Sequence, residues 1–328
     1  MLKLLIGGSP CTYWSAAKTD GGREYTNSGI GWELFRNYVI AKDKFKPDLW
    51  LYENVKTMPA DIKSYITAEL GNYLPQMIDA ALVSGQGRKR YYWHNFGDIP
   101  QPEDRGILLQ DVLEGGVSVW DKSRSLLASA AFKQSPANIL RGFTYQGGKY
   151  SYTGVFTPVR VGEIGEGQAN RVYSVKGKSV SLKSNVGGGG AKTGLYYINL
   201  PDGDYTIRTL TPTECERLMT VPDSFTEGVS KTQRLKMLGN GWVAEVIIHL
   251  LSHALRGIPT DEPILVLSMY DGMATGRYCL SKMGYTNVVY HAYEIDKWAI
   301  QIATKNYPGI IHHGDAFGVR EDDWGVPG

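Results

Sequence analysis

Cys11 stands where a protein nucleophile could act. It follows Pro10, and both come after an apolar run, Lys3 to Ile6, that two glycines terminate. Such a run predicts a buried parallel strand, and open α/β sheets carry their chemistry just beyond the carboxyl ends of these strands. A thiolate there could attack an electrophilic carbon. The alternative is that Cys11 is a small buried side chain, the commoner role of an isolated cysteine.

A carboxylate and two arginines follow along the chain. Glu53 lies near the end of a second predicted buried strand, 47–55, and Arg88 and Arg90 lie in a stretch that begins at Gln86. A carboxylic acid can deliver a proton, and a guanidinium can hold a carbonyl oxygen or a carboxylate. Taken singly, each of these side chains would equally fit a surface ion pair.

The end of the chain carries a compact βαβ pattern. An apolar strand, 264–270, leads into a glycine turn, Asp271 to Gly276, and the next strand ends at Glu294. A glycine turn lets a ligand approach the following helix N-terminus, and an acid at the tip of the second strand can bind a ribose hydroxyl. A short third strand, 310–312, precedes Asp315. The alternative is a tight turn in an ordinary βα unit.

The composition is ordinary for a globular protein. Hydrophobic residues make up 42% and charged residues 21% of the 328 positions, enough chain for a large core domain with a smaller one. The three cysteines have no C-x-x-C spacing, so neither a disulfide framework nor a zinc site is indicated. No metal is assigned to His312 and His313, because neighbours on a strand point to opposite faces. With no apolar segment typical of a signal peptide or a membrane span, we expect a cytoplasmic protein.

Positive charge is concentrated in the middle of the chain. Between Lys122 and Lys192 there are eleven Lys or Arg residues and two acids, a net charge of +9, whereas the whole chain carries +2. Around this segment, residues 97–207 form short pieces rich in Gly and Tyr, which predicts a separate loop-rich domain. Regular structure is predicted to return with a helix over 212–219 and a longer one over 236–255.

Together these segments resemble the cytosine-C5 DNA methyltransferases, over most of the chain outside its middle. Five motifs of that family occur in order: Pro10-Cys11, Glu53-Asn54-Val55, Gln-x-Arg-x-Arg at Gln86 to Arg90, Arg-x-Leu-Thr-x-x-Glu-x-x-Arg-Leu at Arg208 to Leu218, and Gly239-Asn240. One such motif would be a weak signal, whereas five in order with suitable spacing are specific.

The cofactor motifs of that family lie at an unusual place in this chain. The family normally opens with the glycine turn and reaches the Pro-Cys strand later, whereas here the turn at Asp271 and the acids Glu294 and Asp315 come last. This order implies a circular permutation opened just before the Pro-Cys strand, which is tolerated where the original termini meet at the surface. We therefore predict that strands 2–7 and 264–268 are neighbours in one sheet.

The resemblance implies an α/β fold with a mostly parallel, Rossmann-like sheet, permuted as described, and a smaller irregular target-recognition domain inserted into it. Residues 1–96 would form the catalytic half of the methyltransferase domain and residues 97–207 the target-recognition domain. Residues 208–328 would complete the methyltransferase domain with its cofactor motifs.

The resemblance also assigns catalytic roles. Cys11 would add to C6 of cytosine as a thiolate, and Glu53 would act as an acid at N3. We expect only one of the two arginines to face the pocket, where it would hold the cytosine O2 and the carboxylate. We favour Arg90, with Arg88 as its structural or phosphate-binding neighbour. The matching motifs add Pro10 and Asn54 to the catalytic set.

The implied methyl donor is S-adenosylmethionine. Glu294 is expected on its ribose hydroxyls, Asp315 on its adenine amino group and Ile295 on the adenine face. Tyr270 and Gly272 would line the methionine end. The other positions expected at this pocket are Asp271, Ala274, Thr275, Gly276, Ala316 and Asn240.

The implied substrate is double-stranded DNA. A cytosine must leave the duplex to reach Cys11, so base flipping is implied, and the long loop 12–31 is expected to act as a lid. The basic middle segment, with its interleaved tyrosines, would contact phosphates and bases. Its alternative is a solvated basic loop region. No obligate protein partner is evident.

Two other interpretations stay open. A tRNA-methylating branch of the family shares the chemistry, although its members usually have a shorter recognition region than the segment between Arg90 and Arg208. A catalytically inactive DNA-binding homologue is the second. One departure from the family pattern is Gly241-Trp242, which replaces the common Ser/Ala-Val after the Gly-Asn pair.

Overall fold

The structure, a computed structural model, describes residues 1–16, 22–118, 121–126, 154–158, 172–174, 195–197 and 205–324. Its strands are β1 (Leu2–Gly7), β2 (Leu49–Val55), β3 (Gln76–Asp79), β4 (Gln86–Gly87), β5 (Lys89–His94), β6 (Ser123–Arg124), β7 (Gly154–Pro158), β8 (Val172–Ser174), β9 (Leu195–Tyr197), β10 (Tyr205–Thr209), β11 (Ile264–Met269), β12 (Val288–Tyr293) and β13 (Ile311–Gly314). Its α-helices are α1 (Ile30–Phe45), α2 (Ala60–Glu69), α3 (Leu109–Val112), α4 (Pro212–Leu218), α5 (Lys231–Asn240), α6 (Ala244–Ala254), α7 (Thr275–Lys282) and α8 (Lys297–Asn306). Short 3₁₀ turns occupy Cys11–Tyr13, Ala80–Leu82 and Ala316–Arg320.

Seven strands form one mostly parallel sheet, in the order β13-β12-β11-β1-β2-β5-β3. The strands from β13 to β2 pair in parallel, and β5 runs antiparallel to both of its neighbours. This is the α/β sheet that the sequence predicted. The register of β1 with β11 runs from Leu2 opposite Ile264 to Gly7 opposite Met269. The prediction that these two strands are neighbours is therefore confirmed.

Apolar side chains cover both faces of the sheet. Along β1, Leu4 and Ile6 pack in the layer that contains α4 to α8, while Leu5 packs in the layer of α1 and α2. This alternation follows from the strand geometry, in which successive residues point to opposite faces. All three side chains are fully buried. The strand that leads to Cys11 is therefore held from both sides.

The predicted helix over 236–255 is wrong in one respect, because the chain forms two helices there. Helix α5 begins at Lys231, where the Ser230 side chain accepts a hydrogen bond from the Gln233 N–H group, and Gly241 then leaves the helix in an extended conformation. Helix α6 starts three residues later. The predicted helix over 212–219 is confirmed as α4, with a capping box at its start.

Strand β3 is short, and a 3₁₀ turn follows it. The strand ends at Asp79, because the Asp79 side chain accepts the Ala81 N–H group and caps the 3₁₀ turn that follows. The turn redirects the chain toward the two arginines of the Gln-x-Arg-x-Arg motif.

The middle of the chain contributes a small four-stranded sheet, in the order β7-β10-β8-β9. Most of the basic segment 122–192 and residues 17–21 of the predicted lid lie outside the described residues. The lid, the DNA-contacting surface and the domain boundaries at 97 and 207 therefore stay predictions. None of the helices that the structure describes is both long enough and apolar enough to cross a membrane.

Candidate active site

The predicted catalytic and cofactor positions meet in one cavity of about 460 Å³. Every predicted catalytic residue except Asn54 lines it, and so does every predicted cofactor residue except Ala274 and Gly276. Side chains from both ends of the chain form this site because parallel strands present their carboxyl ends at one edge of the sheet. The cavity volume is in the range of small-molecule sites.

Cys11 begins a 3₁₀ turn directly after the loop that follows β1. Its carbonyl oxygen accepts hydrogen bonds from the backbone N–H groups of Trp14 (3.1 Å) and Ser15 (2.9 Å), which fix the turn. The Cys11 residue is partly exposed and lines the cavity. Burial raises the pKa of its thiol, while the nearby Arg90 guanidinium opposes that shift by favouring the thiolate. The Glu53 carboxylate, like burial, raises the pKa of the Cys11 thiol.

Glu53 lies near the carboxyl end of β2, where it contacts an arginine and a tryptophan. The Arg90 guanidinium forms an ion pair with it, with 3.1 Å between Nε and Oε1, and Trp242 Nε1–H donates a hydrogen bond to Oε2 at 3.0 Å. Only 13% of the Glu53 side chain and 15% of the Arg90 side chain is exposed. These two contacts hold the carboxyl group in one orientation at the cavity wall.

Arg88 and Arg90 both line the cavity, so the prediction that only one of them faces it is wrong. Residues two apart on extended backbone lie on the same face, which is the geometric reason. Their contacts nevertheless differ. The Arg88 guanidinium donates to the carbonyl oxygens of Gly239 (3.1 Å), Gly241 (3.0 Å) and Leu126 (3.2 Å). Burial lowers its pKa to about 9, and Arg88 ties the connection between α5 and α6 to the sheet.

Asn54 anchors the loop that follows β1. Its side-chain amide donates to the Ser9 carbonyl oxygen (3.2 Å) and to the Tyr52 hydroxyl (3.1 Å), and the Ser9 and Tyr52 hydroxyls share a hydrogen bond of 2.7 Å. All three side chains are buried, so removing one would leave polar groups unsatisfied. Gly8 makes this close approach possible, because a Cβ atom there would lie 2.8 Å from the Glu53 carbonyl oxygen.

Glu294 follows β12 and accepts three backbone hydrogen bonds. The Gly272 N–H group donates to Oε2, and the N–H groups of Ile295 and Asp296 donate to Oε1, each at 2.8 Å. A carboxylate has about four acceptor sites. Glu294 is therefore fixed in place and keeps capacity for a further donor from the cavity.

The Asp271 carboxyl group is held by hydrogen bonds from two hydroxyl groups of the protein. Its Oδ1 atom accepts the hydroxyl groups of Ser268 and Tyr290, each at 2.6 Å. Among the described residues its Oδ2 atom is buried without a hydrogen-bond partner. Burial raises the pKa of this carboxyl group to about 6. The site thus contains an acceptor that no protein group satisfies.

The rest of the glycine turn shapes the backbone. Tyr270, Gly272 and Ala274 have φ angles of +63°, +62° and +63°, a left-handed conformation that turns the chain sharply from β11 into α7. Gly276 packs so closely on Ile6 that a Cβ atom would collide with it. Ala274 and Gly276 therefore lie behind the cavity wall, and their contribution is to the path and packing of the chain.

The remaining cofactor positions surround the cavity. The Asp315 side chain accepts the Phe317 N–H group at 3.0 Å and caps the last 3₁₀ turn. Ile295 is 74% exposed, and Asn240 is the exposed last residue of α5. The Tyr270 hydroxyl donates to the Leu34 carbonyl oxygen at 2.5 Å. Thr275 and Ala316 complete the predicted set at the wall.

Comparisons with known proteins found DNA methyltransferases. A family model described as C-5 cytosine-specific DNA methylase matches residues 96–255. The chain is 26% identical over 269 residues to the Type II methyltransferase M.HhaI of Haemophilus parahaemolyticus, across 75% of this chain and 74% of that protein. It is 25% identical over 286 residues to the Type II methyltransferase M.MspI of Moraxella sp, across 79% of this chain and 58% of that protein, less than two thirds of its length.

These sequence matches support the cytosine-C5 DNA methyltransferase family for this chain. It also resembles a solved structure described as a DNA modification methyltransferase encoded within a prophage (E. coli), with a TM-score of 0.40, 19% identity and coverage of 77% of this chain and 79% of that one. This structural similarity is too low to bear on the function. The family assignment rests on the sequence matches.

S-adenosylmethionine is the methyl donor of this methyltransferase family. The cavity fits such a group in three observed respects. Glu294 offers spare acceptor capacity suited to ribose hydroxyls, Asp271 offers a buried acceptor without a partner, and Ile295 offers an exposed apolar surface. Among the described residues, no cluster of His, Cys, Asp and Glu side chains could hold a metal ion.

Sequence reasoning did not assign Trp242 to the catalytic set of this methyltransferase. The residue was visible only as a departure from the family pattern after Gly239-Asn240. Its contact with Glu53 joins positions 189 apart in the chain. No local sequence signal could have indicated that contact.

Proposed function

We propose that this methyltransferase transfers the methyl group of S-adenosylmethionine to C5 of a cytosine flipped out of double-stranded DNA, through a covalent bond between Cys11 Sγ and C6. The observation that carries the proposal is the single cavity, which brings Cys11, Glu53 and Glu294 together. A nucleophile, an acid and a candidate cofactor carboxylate in one site are what this reaction requires.

The proposed chemistry begins when the Cys11 thiolate forms a bond to C6 of the cytosine. The Glu53 carboxyl group donates its proton to N3 in that step, which prevents negative charge from building up on the ring. Carbon C5 then has enamine character and would take the methyl group of bound S-adenosylmethionine, whose bond from the methyl carbon to sulfur would break to leave S-adenosylhomocysteine. Loss of the C5 proton to a base, with return of the N3 proton to Glu53, breaks the bond between Sγ and C6.

The other catalytic positions orient these groups. Arg90 lies against Glu53 at 3.1 Å and lowers the pKa of the Cys11 thiol, so we assign to it the cytosine O2 and the stabilisation of the thiolate. Pro10 N-caps the turn that begins at Cys11, and its ring fixes the backbone there. Asn54 supports the same loop through its hydrogen bonds.

The cofactor would lie between β11 and the tips of β12 and β13. We assign the ribose hydroxyls to Glu294, the adenine amino group to Asp315 and the adenine face to Ile295. The methionine end would lie against Tyr270 and Gly272. Each of these residues lines the cavity.

Double-stranded DNA is proposed as the substrate, with residues 97–207 as the target-recognition domain. The net charge of +9 between Lys122 and Lys192 supports this assignment, because phosphate neutralisation supplies much of the affinity for DNA. The loop 12–31 is proposed as the lid over a flipped base. A reaction on chromosomal or phage DNA would take place inside the cell.

Circular permutation is part of the proposal. It is supported by the parallel pairing of β1 with β11 and by the place where the last described residues lie. The Trp324 and Phe45 ring centroids are 5.8 Å apart, and Lys3 Nζ donates to the Phe45 carbonyl oxygen at 3.3 Å. The first strand and the end of the described chain thus converge on Phe45, so a short connection could join them.

The test is to map 5-methylcytosine in DNA from cells that express the protein. Wild type is expected to produce methylated cytosines in a sequence context that the map would define, and Cys11→Ala is expected to produce none. Cys215→Ala is the matched control, because Cys215 is buried in α4 outside the cavity. The proposal would be refuted if Cys11→Ala still produced methylated cytosines, or if the wild-type protein produced none. Labelling of tRNA but not of duplex DNA would favour the tRNA alternative.

A further inference from the structure

Trp242 contacts the proposed catalytic acid from the side opposite to Arg90. Its indole N–H group donates to Glu53 Oε2 at 3.0 Å, while Arg90 Nε lies 3.1 Å from Oε1 in an ion pair. An indole nitrogen can only donate a hydrogen bond. Each oxygen of Glu53 therefore has its own partner, and the carboxyl group is held by two elements far apart in the chain.

The backbone that carries Trp242 is itself fixed. Arg88 donates to the carbonyl oxygens of Gly239 and Gly241, which flank the end of α5. A Cβ atom at Gly241 would lie 3.3 Å from Met273 Cε in the glycine turn. Trp242 therefore lies in a well-held connection between the glycine turn and the catalytic acid. A residue held in this way is suited to orienting the Glu53 side chain.

We propose that Trp242 is a positioning residue, whose indole N–H group keeps the Glu53 carboxyl group aimed at the ring of the flipped cytosine. This inference rests on the acid role of Glu53 in the proposed function. A donor that acts through Glu53 affects the rate of proton delivery, whereas it contributes little to binding of the cofactor. The two effects can be measured separately.

The first test replaces Trp242 by Phe, which keeps an aromatic ring and removes the N–H donor. In single-turnover methylation with radiolabelled S-adenosylmethionine, the rate is expected to fall about tenfold, the size expected for a lost hydrogen bond to a charged group. Calorimetric binding of S-adenosylhomocysteine is expected to stay within about twofold of wild type. Trp298→Phe is the matched control, because Trp298 lies in α8 outside the cavity, and it is expected to keep the wild-type rate.

The second test repeats Trp242→Phe in a Glu53→Gln background. Because Gln cannot deliver the proton, the same change is expected to alter the residual rate by less than about twofold. An equal tenfold loss in both backgrounds would overturn the inference and indicate a packing role. So would a wild-type rate for Trp242→Phe when Glu53→Gln is slow. If Glu53→Gln itself keeps the wild-type rate, the acid role in the proposed function fails instead.

Discussion

Cys11 must lose its proton before it can attack carbon, and neighbouring groups shift the pKa of its thiol in opposite directions. Burial and the Glu53 carboxylate raise the pKa of the thiol, and the Arg90 and Arg88 guanidinium groups lower it. Burial has the largest effect. The structure therefore favours the thiol form at neutral pH, and Arg90 is the group on which thiolate formation most depends.

We predict that alkylation of Cys11 by iodoacetamide becomes faster as pH rises above 8, because only the thiolate reacts. Arg90→Ala is expected to slow the reaction at pH 8 by about three- to tenfold, since loss of the cation raises the pKa of the thiol further. Mass spectrometry of the modified peptide measures the rate. Lys89→Ala, which removes an exposed neighbouring charge, is the control. Equal rates in Arg90→Ala and wild type would contradict the electrostatic role of Arg90.

Asp271 makes a prediction about stability. Its pKa is about 6 in the folded protein against an ordinary value of 3.8, so the folded state binds this proton more tightly than the unfolded chain. The stability from this group is present below pH 4 and is lost as pH rises through 6. Relative to wild type, Asp271→Asn is therefore expected to gain up to about 3 kcal/mol between pH 4 and pH 7.

Thermal or denaturant unfolding at pH 4 and pH 7 measures that gain. The exposed Asp43→Asn in α1 is the control for loss of one carboxylate. If the difference in unfolding free energy between Asp271→Asn and wild type did not change with pH, titration of Asp271 would not affect stability.

At the scale of elements, the site depends on how closely the ends of β1 and β2 approach each other. Asn54, on β2, bonds the loop after β1, and Gly8 in that loop lies against the Glu53 backbone. The connection between α5 and α6 approaches from the other side and is held by Arg88. The nucleophile, the acid and its indole donor are thus placed by close contacts of side chains and backbone between neighbouring elements.

Gly8→Ala is expected to disrupt this arrangement. The new methyl group would lie 2.8 Å from the Glu53 carbonyl oxygen and 2.9 Å from Glu53 Oε2, so the two strand ends must separate. We expect a loss of about 1–3 kcal/mol in unfolding free energy and a fall in methylation rate. Gly309→Ala is the control, because a Cβ atom there meets nothing within 4 Å. Normal activity in Gly8→Ala would show that the close approach is not required.

At the scale of the whole molecule, the first strand of the chain lies in the middle of the sheet, although the last strand, β13, lies at its edge. β1 and β11 lie side by side, and the Met1 amino group lies 3.7 Å from the Glu262 carboxylate. Lys44 Nζ donates to the carbonyl oxygens of Val319 and Arg320, at 2.9 and 3.0 Å, which holds the end of the described chain on α1. The fold therefore depends more on the order of the strands in the sheet than on the order of the elements along the chain.

A variant whose chain begins at a different element tests whether the fold depends on the order of the elements along the chain. It would begin at Thr260, in the connection between α6 and β11, and would join Gly328 to Met1 through a short Gly/Ser linker. Because the pairing of β1 with β11 does not depend on their covalent order, the variant is expected to keep the wild-type circular dichroism spectrum, a similar midpoint of unfolding and methylation activity. A control variant opened at Thr67, inside α2, should lose them. Failure of the first variant to fold would contradict the proposed permutation.

The sequence by itself determined the type of chemistry and the main sheet. The motifs around Cys11 and Glu53 identified the family, and apolar runs bounded by glycines placed β1, β11 and β12 nearly at their observed bounds. These features are local, because the residue types that make a strand or a nucleophile are adjacent in the chain. The permuted motif order also sufficed to predict that β1 pairs with β11.

Only the tertiary structure decided which side chains touch. It showed that Arg88 binds the carbonyl groups after α5 while Arg90 binds Glu53, that Gly276 packs behind the cavity wall, and that Trp242 contacts the acid. Such contacts depend on the packing of elements that are distant in sequence. Their directions follow from backbone breaks such as the one between α5 and α6, which periodicity alone does not reveal.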